Sequence, residues 1–365
     1  MAQPDTTATT TPVSSAFSTV IPEDALNLDI FYGVTLSILS AMGIVGNIFA
    51  LVYFLRKRKK TVHDVMYTFV SGLDMMTSTI AWPVTISLLT SQRYRVLFED
   101  GTFCGIWTVS FMFLNVITLF VVMLISVSRS INIICPFHKI TAPVIITAIL
   151  VYAVVDLLLP VIGCAANFIE FAYYKDMGFC SIVPQNLKNP SVIKFWDGVF
   201  VPTKNVQLLG TMLIVVTSFL VSVVSLMTRS NAAGRKETKM RQASITIAIF
   251  TGIFLFCQLP LHVTKMMSHS IKWFNTYDYF SLKSFIGWSY SILFQVLFPV
   301  LNSAVNPCLY YIRMPKYKLW VQRYFREGFH AFRKIAVVEK VFGPPPVLPN
   351  VKISDYDYST IQTMN

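Results

Sequence analysis

A few polar side chains sit where the chain around them is almost wholly apolar. They are Asn47, Asp74, Arg129, Gln258, Asn302, Ser303 and Asn306. An ionisable group inside a long apolar stretch costs about 2.5–3.5 kcal/mol to place in a bilayer, so Asp74 must face protein and find a polar partner there. Asn302, Ser303 and Asn306 stand at helical spacing within Pro299-Val-Leu-Asn302-Ser303-Ala-Val-Asn306-Pro307-Cys-Leu-Tyr310. Pro307 removes a backbone donor and bends its helix, and in lipid the freed carbonyl needs a partner from the protein. Tyr310 follows on nearly the same face. The chemistry such residues can do is conformational: a kinked helix, polar contacts that rearrange, and a tyrosine that moves with them. Catalytic patterns are missing. The sequence has no HExxH, no Ser-His-Asp order and no Gly-rich phosphate loop. No cysteine spacing suits zinc, and the chain is not expected to be an enzyme.

These residues need membrane-spanning elements to hold them. The chain of 365 residues is 54% hydrophobic and only 13% charged, against about 25% charge in a soluble domain. Its mean hydropathy is +0.59. Apolar runs long enough to span lipid cover roughly 30–55, 66–90, 104–134, 143–168, 206–228, 243–267 and 284–311. The expected fold is an all-α membrane protein, a seven-helix bundle over 30–312. A flexible extracellular tail (1–29), a short amphipathic cytoplasmic helix (313–330) and a cytoplasmic tail (331–365) complete the division. With seven spans, nine of the 30 Lys and Arg fall on the N-terminal side and the other 21 opposite. The positive-inside rule puts the N-terminus outside. The net charge of +12 flanks the spans rather than forming one patch, which argues against a nucleic-acid partner.

Of six cysteines, Cys104 and Cys180 both fall on the oxidising outer side, so a disulfide between them is the first expectation. Gly43 and Gly46 allow close helix approach. Pro83 and Pro260 bend spans two and six. Asp156 lies near the outer third of span four, where it reads mainly as an interface residue. The stretch 169–204 reads as a long outer loop that lids the bundle. On its own span, Arg129 reads as an anchor to the cytoplasmic interface. Beyond Tyr311, Leu319, Trp320, Tyr324 and Phe325 alternate with bases, the pattern of a helix lying on anionic lipid.

Taken in order, Gly46-Asn47, Asp74, Cys104, Arg129 seven residues before Pro136, Cys257-x-x-Pro260 and Asn306-Pro307-x-x-Tyr310 resemble the rhodopsin-like (class A) G-protein-coupled receptors over about residues 30–327. The resemblance implies a plasma-membrane receptor that takes an extracellular ligand, peptide or small organic, and activates a heterotrimeric G protein as span six swings outward. It implies that Arg129, Pro136, Pro260, Asn306, Pro307 and Tyr310 form the switch. It also implies that Asn47, Asp74, Thr118, Asn302, Ser303 and Asn306 form a polar core able to hold an allosteric sodium ion. No other cofactor is expected; arrestin is a further partner the resemblance admits.

The chain also departs from that family's pattern. Ser128 and Ser130 flank Arg129 where an acid and an aromatic are usual, and Gln258 stands for the span-six tryptophan. The departures suggest a divergent lineage, an invertebrate orphan or chemosensory type. They keep a non-coupling decoy or scavenger receptor as the main alternative, ahead of a multi-pass transporter. Phe111 and Val300 occupy the positions of the amine-binding Asp and the retinal lysine, which disfavours both ligand types. Outer-half candidates for a pocket are Phe111, Asn115, Gln258, His262, Lys265, Tyr290 and Gln295. With Lys272 and Lys283 nearby, they suggest an acidic ligand.

Overall fold

The computed structural model describes residues 23–90, 101–134, 141–167, 169–174, 179–184, 189–228, 245, 248–260 and 291–333. Span one is α1, Glu23–Arg56. Span two is α2, Val62–Ile80, continued by α3, Trp82–Leu89. Span three is α4, Gly101–Ile134, and span four is α5, Ala142–Ala165. Two antiparallel strands follow, β1 (Ile169–Tyr174) and β2 (Phe179–Pro184), with Tyr173 opposite Cys180. Span five comprises α6 (Pro190–Phe195), a wide π-helical turn (Trp196–Phe200) and α7 (Val201–Thr228). The described part of span six is α8, Ala248–Pro260. Span seven is a π-helical segment, Ser291–Leu297, running into α9, Phe298–Arg313. A separate unit begins at Pro315 with α10, Pro315–Arg333.

Three boundaries differ from the sequence expectation. The first helix starts at Glu23, inside the stretch assigned to the tail, and Asp29 is buried. Span five starts at Pro190 rather than near 206. The loop read over 169–204 is therefore a hairpin followed by the first turns of a helix. Pro190 at the helix start and Asn189, whose side chain accepts from the Ser191 N–H at 3.0 Å, explain the early start.

Among the described residues, four helices are long and apolar enough to cross a bilayer: Asn27–Arg56, Thr102–Ser128, Ala142–Ala165 and Pro190–Val224. Their outer faces carry large exposed apolar side chains, among them Val45, Val154, Val161, Val206 and Leu213. In water such a surface would be costly; against lipid tails it is matched. The second span breaks at Ala81, with Pro83 just beyond. There the Trp107 indole of α4 donates to the Ile80 carbonyl at 3.0 Å, satisfying the bend from a neighbouring span. The basic loop between spans one and two is fixed by a capping box between Thr61 and Asp64, and Lys57 pairs with Asp64 at 2.6 Å.

Two glycines set the spacing of span one. A Cβ on Gly46 would stand 2.8 Å from the Pro307 ring, and one on Gly43 would stand 2.2 Å from Ser78 Oγ. Close approach is what lets Asn47 reach span seven. Enlarging Gly46 therefore forces span one away from the kink. Gly46→Val should cost about 1–3 kcal/mol in thermal stability or prevent surface expression. Gly72→Ala, with open space around its would-be Cβ, should stay within about 0.5 kcal/mol of the unaltered protein.

Candidate functional site

Asp74 is 1% exposed at the centre of the bundle. Asn306 Nδ2 donates to its Oδ2 at 2.6 Å, and the Ser303 hydroxyl lies 3.1 Å from its Oδ1. That same hydroxyl lies 3.1 Å from the Pro299 carbonyl, so its one hydrogen is shared between span two and its own helix. Asn47 Nδ2 donates to the Ser303 carbonyl at 2.8 Å and to the Gly43 carbonyl at 2.8 Å. The Ser303 carbonyl is the one that Pro307, four residues on, cannot bond. One amide from span one thus caps the kink of span seven, and Ser303 ties that kink to the Asp74 carboxylate.

Neutral donors hold the Asp74 carboxylate; among the described residues no cation touches it. Buried oxygens with no hydrogen-bond partner lie on residues tied to Ser303, Asn47 Oδ1 by its amide bond and Asn302 Oδ1 by chain adjacency, with Ser71 Oγ one turn before Asp74 on α2. Thr118 on α4 is likewise buried with an unpartnered hydroxyl, but it makes no bond to Asp74. A carboxylate with several unsatisfied neutral oxygens is the donor set of a hard cation. Five of the six residues expected in the polar core are joined by bonds or chain adjacency, and Thr118 is not.

The half of the bundle holding Ser128 and Tyr310 is closed by hydroxyls and rings. Ser128 and Ser130 are buried. Ser130 Oγ donates within its helix to Ser126 and lies 3.3 Å from the Ser218 carbonyl of span five. Ser126 Oγ and Thr251 Oγ1 stand 3.4 Å apart, joining spans three and six. Tyr310 is 2% exposed. Its ring meets Phe54 and Tyr67 at 5.5 Å each and Phe250 at 6.5 Å, so spans one, two, six and seven share one aromatic cluster. Such pairs contribute about 0.5–1.5 kcal/mol each beyond their burial. The sequence singled out only Tyr310 of these four. The Arg129 side chain and all of Pro136 lie outside the described residues, and Pro260 ends the described part of α8.

The outer pocket residues do not converge in one described cavity. Phe111 stacks on Trp107 at 5.2 Å inside an apolar core shared with Leu36, Val84, Leu88 and Val300. Asn115 gives its amide to the Phe111 carbonyl of its own helix at 2.7 Å. Gln258 is buried with Oε1 unpartnered, and Gln295 is half-buried in the π-helical segment. His262, Lys265, Tyr290, Lys272 and Lys283 lie outside the described residues. Cys104 is disulfide-bonded, while Cys164, Cys257 and Cys308 are free. The Cys180 side chain is not among those described.

The structure corrects the sequence reading at Asp156 and Lys204. Neither reaches an interface: Asp156 is 4% and Lys204 6% exposed, and they form an ion pair between spans four and five. Lys204 also donates to the Asp156 backbone carbonyl at 3.1 Å, the carbonyl that Pro160 leaves without a donor.

The description of the 7 transmembrane receptor (rhodopsin family) fits residues 46–310 of the chain. The crystal structure of squid rhodopsin has a similar fold, with a TM-score of 0.58 over 82% of this chain and 86% of that one, at 14% sequence identity. No curated protein matches the sequence. With that match spanning most of its length, the chain belongs to the rhodopsin family of seven-transmembrane receptors.

Proposed function

We propose that this receptor stands in the plasma membrane with its N-terminus outside, binds an extracellular ligand, and activates a heterotrimeric G protein when span six moves outward. The observation that carries the reading is the closure of span six against its neighbours. It consists of the Ser126–Thr251 hydroxyl contact to span three and the Phe250–Tyr310 ring contact to span seven. Each link is worth on the order of 1 kcal/mol, so a ligand with modestly different affinity for two packings could open it. Arg129, between the buried Ser128 and Ser130, would be the group that meets the G protein. The absence of an acid beside it leaves hydroxyls and rings as the restraint, which favours raised basal signalling.

A sodium ion at Asp74, held with Asn47, Asn302 and Ser71 oxygens, would supply the positive charge that carboxylate lacks and would favour the closed packing. Cys104, which is disulfide-bonded, would pair with Cys180, and β2 packs on α4 as that pairing needs. On α10, Leu319, Tyr324 and Phe325 are exposed among Lys316, Lys318, Arg323 and Arg326, which supports a seat on anionic lipid.

Nucleotide exchange on purified Gα subunits tests the coupling. Without ligand, the receptor should accelerate exchange, Ser126→Ala/Thr251→Val should accelerate it further, and Arg129→Ala should abolish it at equal receptor content. Exchange untouched by Arg129→Ala would refute the role given to that residue. Exchange absent from every variant would favour the non-coupling reading. Sodium is tested separately. Replacing choline by sodium at constant ionic strength should raise the melting temperature of the unaltered receptor and leave Asp74→Asn unmoved; equal shifts in both would remove the ion from Asp74.

A further inference from the structure

The Asp156–Lys204 pair also lines a cleft. Spans four and five both pack on span three, and beside the ion pair a cleft among the three spans is walled by Val109, Met112, Val116, Pro160, Phe200 and Leu208. Lipid-facing side chains flank it on both sides, Leu158 and Val161 on α5 and Val206 and Leu209 on α7. Just before Lys204, the wide π-helical turn stacks Trp196 on Phe200 at 4.9 Å, closing the outer end.

An ammonium has three N–H donors. Lys204 uses two, on the Asp156 carboxylate and the Asp156 carbonyl, and makes no other bond. The third is available to an acceptor within the cleft. The charge balance decides which acceptor. Asp156 already neutralises Lys204, so the site carries no net charge. An acid accepting from that N–H would set two carboxylates against one ammonium and leave a net buried negative charge, at a cost of several kcal/mol. A neutral hydroxyl has no such cost. It accepts from the third N–H and can give its own hydrogen to the carboxylate. Met112 and Leu208 form flexible walls that can move aside for an apolar chain.

We propose that the cleft between spans three, four and five is a binding site for a neutral, bilayer-soluble ligand with one hydroxyl, its polar head on Lys204 and Asp156 and its apolar part against Met112, Val116 and Leu208. Its neutral ligand differs from the acidic one that His262, Lys265, Lys272 and Lys283 suggest, and its test needs no G-protein coupling.

The test uses the full chain in lipid nanodiscs, without G protein, so that failure to couple leaves its outcome untouched. Dodecanol, laurate and dodecane are titrated against the melting temperature. Dodecanol should raise it saturably, with an apparent affinity about tenfold or more above that of dodecane, as expected for one hydrogen bond to a charged donor. Laurate should give no saturable shift. Asp156→Leu/Lys204→Met removes the polar head site as a pair, which avoids stranding one charge. Met112→Trp fills the cleft and keeps the ion pair. Both variants should lose the dodecanol response. Equal shifts with dodecane and dodecanol, tighter binding of laurate, or an unchanged dodecanol response in Met112→Trp would each overturn the proposal.

Discussion

Backbone carbonyls freed by proline have no water to turn to inside a bilayer, and the architecture of this receptor follows from how they are met. Pro307 frees the carbonyl of Ser303, and Asn47 of span one donates to it. Pro160 frees the carbonyl of Asp156, and Lys204 of span five donates to it. At the break between α2 and α3, just before Pro83, Trp107 of span three likewise donates to a backbone carbonyl, that of Ile80. In each case the donor comes from another span. A kink that would weaken an isolated helix becomes a tether between two helices. Gly43 and Gly46 have no side chain for the same reason: Asn47 reaches Ser303 only if span one lies against the Pro307 ring.

These tethers hold the centre and the half containing Trp107 and Lys204, and none of them reaches the half containing Ser128 and Tyr310. Asp74, Ser303 and Asn306 link spans two and seven at mid-membrane. At the end holding Ser128 and Tyr310, spans three, five and six meet through hydroxyl contacts of 3.3–3.4 Å, and spans six and seven through stacked rings. No buried ion pair is described there, whereas the outer half has one between Asp156 and Lys204. A rigid upper frame over a weakly latched lower gate is the arrangement a two-packing receptor needs. On the proposed function, the half that would move is held by interactions that a ligand or a G protein could outweigh.

Much of this was legible in the sequence, for definite physical reasons. A carboxylate at membrane depth must be met inside the protein, which marked Asp74; Ser303 and Asn306, which bond to it, stood out as polar groups ahead of Pro307, and the family resemblance grouped them with it. Asp156 was seen but misread. Its partner lies 48 residues away, on a stretch whose scattered charges and prolines look like a loop, so nothing local revealed that Lys204 turns inward. The rings around Tyr310 were invisible for another reason. Phe54, Tyr67 and Phe250 sit in apolar runs where a lipid-facing and a bundle-facing aromatic read alike. The hairpin over 169–184 has no strand signal strong enough to separate it from a lid loop.

Whether span one caps the kink of span seven is tested most directly by a double-mutant cycle on Asn47 and Pro307, read as thermal stability of the purified receptor. Asn47→Ala alone strands the Ser303 carbonyl and should cost about 1–3 kcal/mol. Pro307→Ala restores a backbone N–H four residues on, which can take that carbonyl. In its background Asn47→Ala should therefore cost much less, with a coupling of about 1 kcal/mol or more. Equal costs in the two backgrounds would show that Asn47 does not serve the proline-freed carbonyl, and would contradict this account of how the bundle is held.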